Sequence, residues 1–318
     1  MLRITSNMMS SQLMLNLNRN AQAMNTTQNQ LATGRKLNKP SDDPVGITYS
    51  LRYRGEIASN EQYTKNVDGA LSWLDFNDTV LSQTGQVVQR LRDLSVQAAT
   101  GSNPQSALDS IKEEVGQLKE QLIDIANSKL NGKYIFNGES YDKKPYDFPK
   151  NADGTSNITG LNTDGTANGT GITNLQTDKG LINYSVGDSV QLPINLTGTD
   201  VFGNGTDADN IFKIMDDLTQ NLTSMNFTGI SAQLDKIDSR METILTTRAE
   251  LGAKSNRIEL MQGRLSDLNT NLTDLQSKTE DADYAELIMK SKIQENIYNA
   301  SLSAGSKIIQ PTLVDFLR

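Results

Sequence analysis

A mainly α fold is predicted: a bundle of long helices packed through seven-residue repeats, carrying a small β-rich insertion domain. Three features predict it. Ile230, Ile237, Ile244, Leu251, Ile258, Leu265 and Leu272 stand seven residues apart without a break. Two more stretches, about 57–99 and 104–125, carry apolar stripes of helical period. Between the bundle segments, 22 of the 30 residues from 151 to 180 are Gly, Asn, Thr, Asp or Ser, too polar a composition to pack a core.

Taken in chain order, the first helix carries Leu17, Ala21, Met24 and Leu31 in heptad spacing, interrupted by Gln28. Residues 1–40 hold five cations (Arg3, Arg19, Arg35, Lys36 and Lys39) and no acid. No aromatic residue lies among them to stack on bases, so they read as a polar helix face rather than a nucleic-acid or membrane tail. Asp43 before Pro44 is the signature of a helix start. In 57–99, Val67, Leu74, Leu81 and Val88 fall at sevens, with Leu71, Leu91, Leu94 and Ala98 beside them. Asn103 is the expected N-cap of the next helix, with Pro104 in its first turn and Leu108, Ile111, Val115, Leu118, Leu122 and Ile125 along its face.

Short alternating runs at Lys133–Phe136 and Leu181–Leu196 read as strands, with turns at Asp153-Gly154, Asp164-Gly165 and Gly187-Asp188. They delimit the insertion at about 139–208. The long 230–275 stripe has a second rail that changes side: Leu234 and Met241 fall four after the heptad residues, then Met261, Leu268 and Leu275 three after. Forty-six residues of helix make a rod of roughly 70 Å, longer than a small globule needs. Near the end, Met289, Ile293, Ile297, Ala300, Ala304 and Ile308 form a last stripe that stops at Pro311. Both terminal stripes offer small or flexible core residues among many Asn and Ser, so the ends are expected to fray in an isolated chain and to order against neighbouring subunits.

The composition narrows the chemistry. With no Cys there are no disulfides, thiolate metal sites or thiol nucleophiles, and with no His there are no Ser-His-Asp triads or HExxH zinc sites. The net charge is −8, of which residues 139–210, with ten acids against four lysines, hold −6. No run approaches the ~18 apolar residues of a membrane span, and the N-terminus lacks the apolar core of a cleaved signal peptide, so export without one is expected. The Asp-Gly-Thr pairs lack the alternating acids and final Glu of a calcium loop. Gly169 and Gly171 begin a dinucleotide fingerprint that Asn174 breaks. Asn195-Leu196-Thr197 is a sequon only in a eukaryotic secretory route. The carboxylate pairs Asp42-Asp43 and Asp216-Asp217 sit beside expected helix starts and read as caps rather than glycosidase acids. One Trp and no aromatic cluster speak against a sugar-binding cleft. No catalytic, metal or cofactor site is expected, and the chain is not read as an enzyme.

Several segments resemble the flagellin family, and most closely its hook–filament junction members: Leu31-Ala-Thr-Gly-Arg-Lys-Leu-Asn-Lys-Pro-Ser-Asp-Asp-Pro44, Gln89-Arg-Leu-Arg-Asp-Leu-Ser-Val-Gln97, Asn131-Gly-Lys-Tyr-Ile-Phe-Asn-Gly138 and Thr247-Arg-Ala-Glu-Leu-Gly252. The two ends, Met1–Met9 and Ser306–Phe316, look like the junction members rather than flagellin itself. Only about 140–210 lacks a counterpart.

The resemblance implies a division of labour. Residues 1–40 with 281–318 would pair as a terminal coiled-coil domain, ordered on assembly. Residues 41–138 with 209–280 would form a helical core domain, and 139–208 a variable outer domain. The chain would be a structural adaptor of the bacterial flagellum, extracellular and exported through the flagellar type III apparatus. Its partners would be hook-associated protein 1, flagellin, copies of itself in a ring and an export chaperone. Subunit packing would fall on Leu17, Ala21, Met24, Leu31, Ile293, Ile297, Ala300, Ala304 and Ile308, with Gln28 a polar mismatch that permits sliding. Arg90, Leu91, Leu94 and Gln97 match the flagellin segment that contributes to recognition by the Toll-like flagellin receptor; the plainer reading is a core and packing helix. The alternatives are a short flagellin, or a secreted enzyme with a carboxylate site in 139–208.

Overall fold

The protein is described here from a computed structural model covering residues 6–151, 155–159, 171–172 and 177–309. The turns expected at Asp153-Gly154 and Asp164-Gly165, the Gly169 and Asn174 positions of the broken fingerprint, the stop at Pro311 and the side chain of Ile308 lie outside the described residues.

In chain order the elements are α1 (Ser6–Thr33), α2 (Pro44–Ala99), α3 (Gln105–Ala126), β1 (Lys129–Leu130), β2 (Lys133–Tyr134), β3 (Asn183–Gly187), β4 (Val190–Pro193), α4 (Gly198–Phe202), α5 (Ile211–Thr223), α6 (Phe227–Glu280) and α7 (Tyr284–Ile309). Helices dominate, and the strands form two small antiparallel sheets, β1–β2 and β3–β4. Asn131 and Gly132, both at positive φ, close the first hairpin tightly. The second runs Asn183 opposite Pro193 to Gly187 opposite Val190, with a bulge between Ser185 and Gly187. The chain divides into two compact units, residues 1–61 with 267–318 and residues 62–266.

In the 62–266 unit the predicted stripes make the core. Val67, Leu74, Leu81, Val88 and Leu91 of α2, Leu108, Val115 and Leu122 of α3, and Ile230, Ile237, Ile244, Leu251 and Ile258 of α6 are all buried in one cluster. α5 adds Ile211, Ile214, Met215 and Leu218 and packs on α3. A five-ring aromatic cluster joins Tyr146, Phe148 and Phe202 of the insertion to Phe136 and Phe212 of the flanking segments: Phe136 meets Phe202 edge-on at 5.1 Å, and Tyr146 touches Phe202, Phe212 and Phe148. Gly198 lies where any β-carbon would strike the Tyr146 ring. Burial pushes the Tyr146 hydroxyl far up, so it stays neutral.

Three expectations are corrected. Asn103 does not cap α3: Pro104 holds that position, and the Asn103 amide donates instead to the Gln97 carbonyl and the Thr100 hydroxyl at the end of α2. Asp216 and Asp217 do not mark a helix start but lie inside α5, whose N-cap is Asn210, accepting from the Phe212 and Lys213 amides. On α6 the expected second rail holds in part: Leu234, Met241 and Met261 are half-buried, Met241 against the core cluster, while the buried positions beside the isoleucines are polar. Gln233, Arg240 and Thr247, each three residues after a heptad isoleucine, are buried, whereas Leu268 and Leu275 are exposed. Arg240 is tolerated there because its guanidinium meets the Asp209 carboxylate at 2.7 Å and donates to the Asp209 carbonyl at 2.9 Å. The chain is helical from Ser6 to Thr33 and from Tyr284 to Ile309, and these two helices, α1 and α7, pack on each other.

A core of this kind makes a quantitative demand. Ile237 is fully buried on the α6 stripe, so Ile237→Ala is expected to destabilise the chain by about 3 kcal/mol. Urea unfolding followed by circular dichroism measures it, and a loss well below ~1 kcal/mol is inconsistent with a close-packed stripe.

Candidate functional site: the paired terminal helices

Within the unit formed by residues 1–61 and 267–318, α1 packs along α7 through two unlike seams. On α1 Ser10, Leu13, Leu17, Asn20, Met24, Thr27 and Leu31 are buried or half-buried in alternating steps of three and four, with Ala21 and Gln30 half-buried beside them. On α7 the buried or half-buried residues are Leu287, Ser291, Gln294, Tyr298, Ser301 and Gly305, in steps of four and three. The α1 seam is mostly apolar, and the α7 seam is small or polar after Leu287. Gly305 is a point of close approach, since a β-carbon there would come within 2.7 Å of Leu13 Cδ2. Gln294 Oε1 is enclosed with no partner, and unpaired buried polar atoms weaken a seam.

The apolar stripe of α7 therefore points elsewhere. Met289, Ile293 and Ile297 are 59, 51 and 46% exposed, and Ala300 and Ala304 continue the same exposed line. At 100° per residue this line lies roughly a third of a turn round the helix from the seam that meets α1. Of the residues assigned to subunit packing, Leu17, Ala21, Met24 and Leu31 are thus half-buried within the chain, whereas Ile293, Ile297, Ala300 and Ala304 face solvent. Gln28 is exposed. The sequence showed both stripes but not that one would be used inside the chain and the other left over. The signal for it is a second heptad line on α7, Leu287–Ser291–Gln294–Tyr298–Ser301–Gly305, whose small and polar members give no apolar stripe.

Two short connectors, between α1 and α2 and between α6 and α7, anchor the pair. Asp283 caps α7 through the Ala285 and Glu286 amides. Gly34 ends α1 at φ +72°, and the Tyr284 hydroxyl lies where its β-carbon would be. The Ala282 amide donates to the Gly34 carbonyl at 3.1 Å, and the Lys36 amide to the Glu280 carbonyl at 2.7 Å. Beneath them sits Glu280, the last residue of α6, its side chain 2% exposed. Arg54 Nε and Nη2 donate to its two oxygens at 2.8 and 2.6 Å, Gln276 at 3.3 Å, and Ser50 through a short hydrogen bond; Arg35 lies 3.4 Å away. The bidentate arginine, with Ser50 and Gln276, holds the carboxyl down at about 2 against the opposing effect of burial. The Asp42 carboxylate accepts from the Asn38 and Lys39 amides and is lowered too.

In the other unit, the α2 segment Gln89–Gln97 is split. Leu91 and Leu94 are core residues; Arg90 and Gln97 are exposed, and Arg90 pairs with Glu114 at 2.6 Å. Among the described residues no group of three or more metal-ligating side chains occurs, and no helix is long and apolar enough to cross a membrane.

Comparison with known proteins places these features. Residues 4–140 match the model of the bacterial flagellin N-terminal helical region, and residues 234–317 that of the C-terminal helical region. The flagellin of Bacillus subtilis is 28% identical over 290 residues, covering 90% of this chain and 89% of that protein. Flagellar hook-associated protein 3 of Escherichia coli is 24% identical, with 86% and 87% covered. A flagellar hook-associated protein from Vibrio parahaemolyticus has the same fold, with a TM-score of 0.61 at 20% identity, over 76% of this chain and all of that one.

The Glu280 anchor carries a pH signature. Its folded value, about 2, lies below the ordinary 4.5, so its stabilisation, roughly 3 kcal/mol, is fully present above pH 4.5 and lost as pH falls toward 2. Urea midpoints of the intact chain are expected to drop through that window, and Glu280→Gln to flatten the drop while lowering stability at pH 7. Equal slopes for both proteins rule the anchor out.

Proposed function

The chain belongs to the flagellin family, and within it we propose the role of structural adaptor joining the flagellar hook to the flagellin filament. It meets hook-associated protein 1 on one side, flagellin on the other, and copies of itself around a ring. The observation that carries the reading is the exposed stripe Met289–Ile293–Ile297–Ala300–Ala304, a contiguous apolar line that a lone soluble chain has no use for. Leu17, Ala21, Met24 and Leu31 would hold α7 in place so that this line faces a neighbour. Residues 1–40 with 281–318 would act as the terminal domain, 41–138 with 209–280 as the core, and 139–208 as the outward-facing part.

The work is binding geometry without turnover, so we read the chain as no enzyme. Its place would be the extracellular flagellum, reached by type III export with a chaperone and no cleaved signal. The junction is favoured over a filament subunit by the ends Met1–Met9 and Ser306–Phe316, which resemble the junction members of the family. Any contact with a Toll-like receptor along Gln89–Gln97 would fall on Arg90 and Gln97, since Leu91 and Leu94 are buried; a reporter assay with Arg90→Ala and Gln97→Ala chains tests that.

Deleting the gene separates the readings. An adaptor leaves hooks without filaments and flagellin monomer in the medium; bare hooks with no flagellin in the medium identify the filament subunit, and normal filaments overturn both. At the residue level, Ile293→Asn with Ile297→Asn is expected to shift the Tm of the isolated chain little, because both side chains are already in water, yet to abolish filament attachment. Retained motility in that double variant removes the stripe from the interface.

A further inference from the structure

With no Cys in the chain, the thioethers of its 10 methionines are its only sulfur, and they are the groups a peroxide oxidises most readily. The fold sorts them. Met215 is fully buried in the core of the 62–266 unit, and Met24, Met241 and Met261 are half-buried. Met8, Met9, Met14, Met225 and Met289 are exposed, and of these Met289 is the most open to solvent at 59%.

Met289 differs from the other four in where it stands. It begins the exposed line Met289–Ile293–Ile297–Ala300–Ala304 on α7, whose other members carry only hydrocarbon. The charges around it are spent within the helix: Lys290 pairs with Glu286 at 3.7 Å, and Lys292 with Glu295 at 2.8 Å. The line is therefore an apolar surface among charges already paired two by two. A thioether behaves as hydrocarbon in such a surface, whereas a sulfoxide is polar and accepts hydrogen bonds.

We propose that Met289 is an oxidation site whose state decides whether the stripe can be covered by a neighbour. The proposal rests on the adaptor reading, in which this stripe is an interface. The co-reactant is a peroxide. The thioether sulfur attacks one oxygen of hydrogen peroxide, and an S–O bond forms as the O–O bond breaks. The proton on the transferred oxygen passes to the leaving hydroxide, and water departs. Sulfur is oxidised by two electrons and the peroxide is reduced by two. On the free chain the new oxygen stands in water and folding bears no cost. In a covered stripe the same oxygen is an acceptor among isoleucine and alanine side chains, and an unpaired buried acceptor weakens the contact. Covering also keeps peroxide from the sulfur, so the order of events matters: oxidation first prevents docking, and docking first protects the sulfur.

In the test, the intact chain is treated with hydrogen peroxide, mapped by peptide mass spectrometry and added to cells lacking the gene, whose filaments are then counted. The untreated chain measures the adaptor role in the same assay, so failure of that role is told apart from an effect of oxidation. Met289 is expected to become the sulfoxide while Met215 stays a thioether, with an unchanged circular dichroism spectrum and at least a tenfold loss of filament restoration. Met289→Leu, apolar and of similar volume, is expected to restore filaments equally well before and after the treatment. Full restoration by chain oxidised at Met289 overturns the proposal. So does an equal loss in the treated Met289→Leu chain, which assigns the damage to Met8, Met9, Met14 or Met225. Oxidation of Met289 as fast in assembled joints as in the free chain overturns it too.

Discussion

One constraint runs through the molecule: apolar side chains on α6 recur every seven residues, while a straight α-helix turns every 3.6. A partner must follow the slow drift of that stripe, and the available partners are other long helices. The buried faces of α2 and α3 in the 62–266 unit are set by this demand. So is the tolerance of Gln233, Arg240 and Thr247 on the second rail, because the isoleucine rail already holds the axial match. Polar residues there cost stability, and Arg240 is kept in place by Asp209.

The terminal pair follows a different logic. α1 turns its best apolar residues toward α7, and α7 answers with serine, glutamine and glycine. A seam this polar leaves pairing weak, and the anchoring falls to the connectors, where one buried carboxylate gathers side chains from α2, α6 and the segment after α1. The stability of the pair is concentrated at its base, while its apolar potential is held on the outer face of α7. Family membership and the hook-associated relatives fit an end that finishes its packing on another molecule.

Much of this was legible in the sequence because periodicity survives without tertiary information. The α6 stripe, the α2 and α3 faces, the Asp43–Pro44 start and the Gly187-Asp188 turn are local patterns, and the structure has them. What was not legible depends on partners far along the chain. Asn103 looks like a cap until Gln97 and Thr100 offer its amide a better partner. Asp216 and Asp217 look like a helix start, but the cap is Asn210, six residues earlier. The cluster of Phe136, Tyr146, Phe148, Phe202 and Phe212 gathers residues spread over 77 positions, and no window of sequence joins them. Of the assembly residues, the stripes were visible but their assignment to inside or outside was not, because that choice was made by the polar residues between them.

The two connectors between the terminal helices and the rest of their unit differ in length, Gly34–Asp43 on one side and Asp281–Asp283 on the other, and they are laced together by backbone hydrogen bonds and the Arg35–Asp281 bridge. Alone, the shorter would take up any pull along the terminal helices first, and the longer would stay slack until the shorter had stretched. Lacing puts the two in parallel, so tension is divided between them. Parallel load-sharing lowers the peak force on each backbone, so resistance to a pull along the terminal helices resides in a handful of hydrogen bonds at the least regular part of the unit.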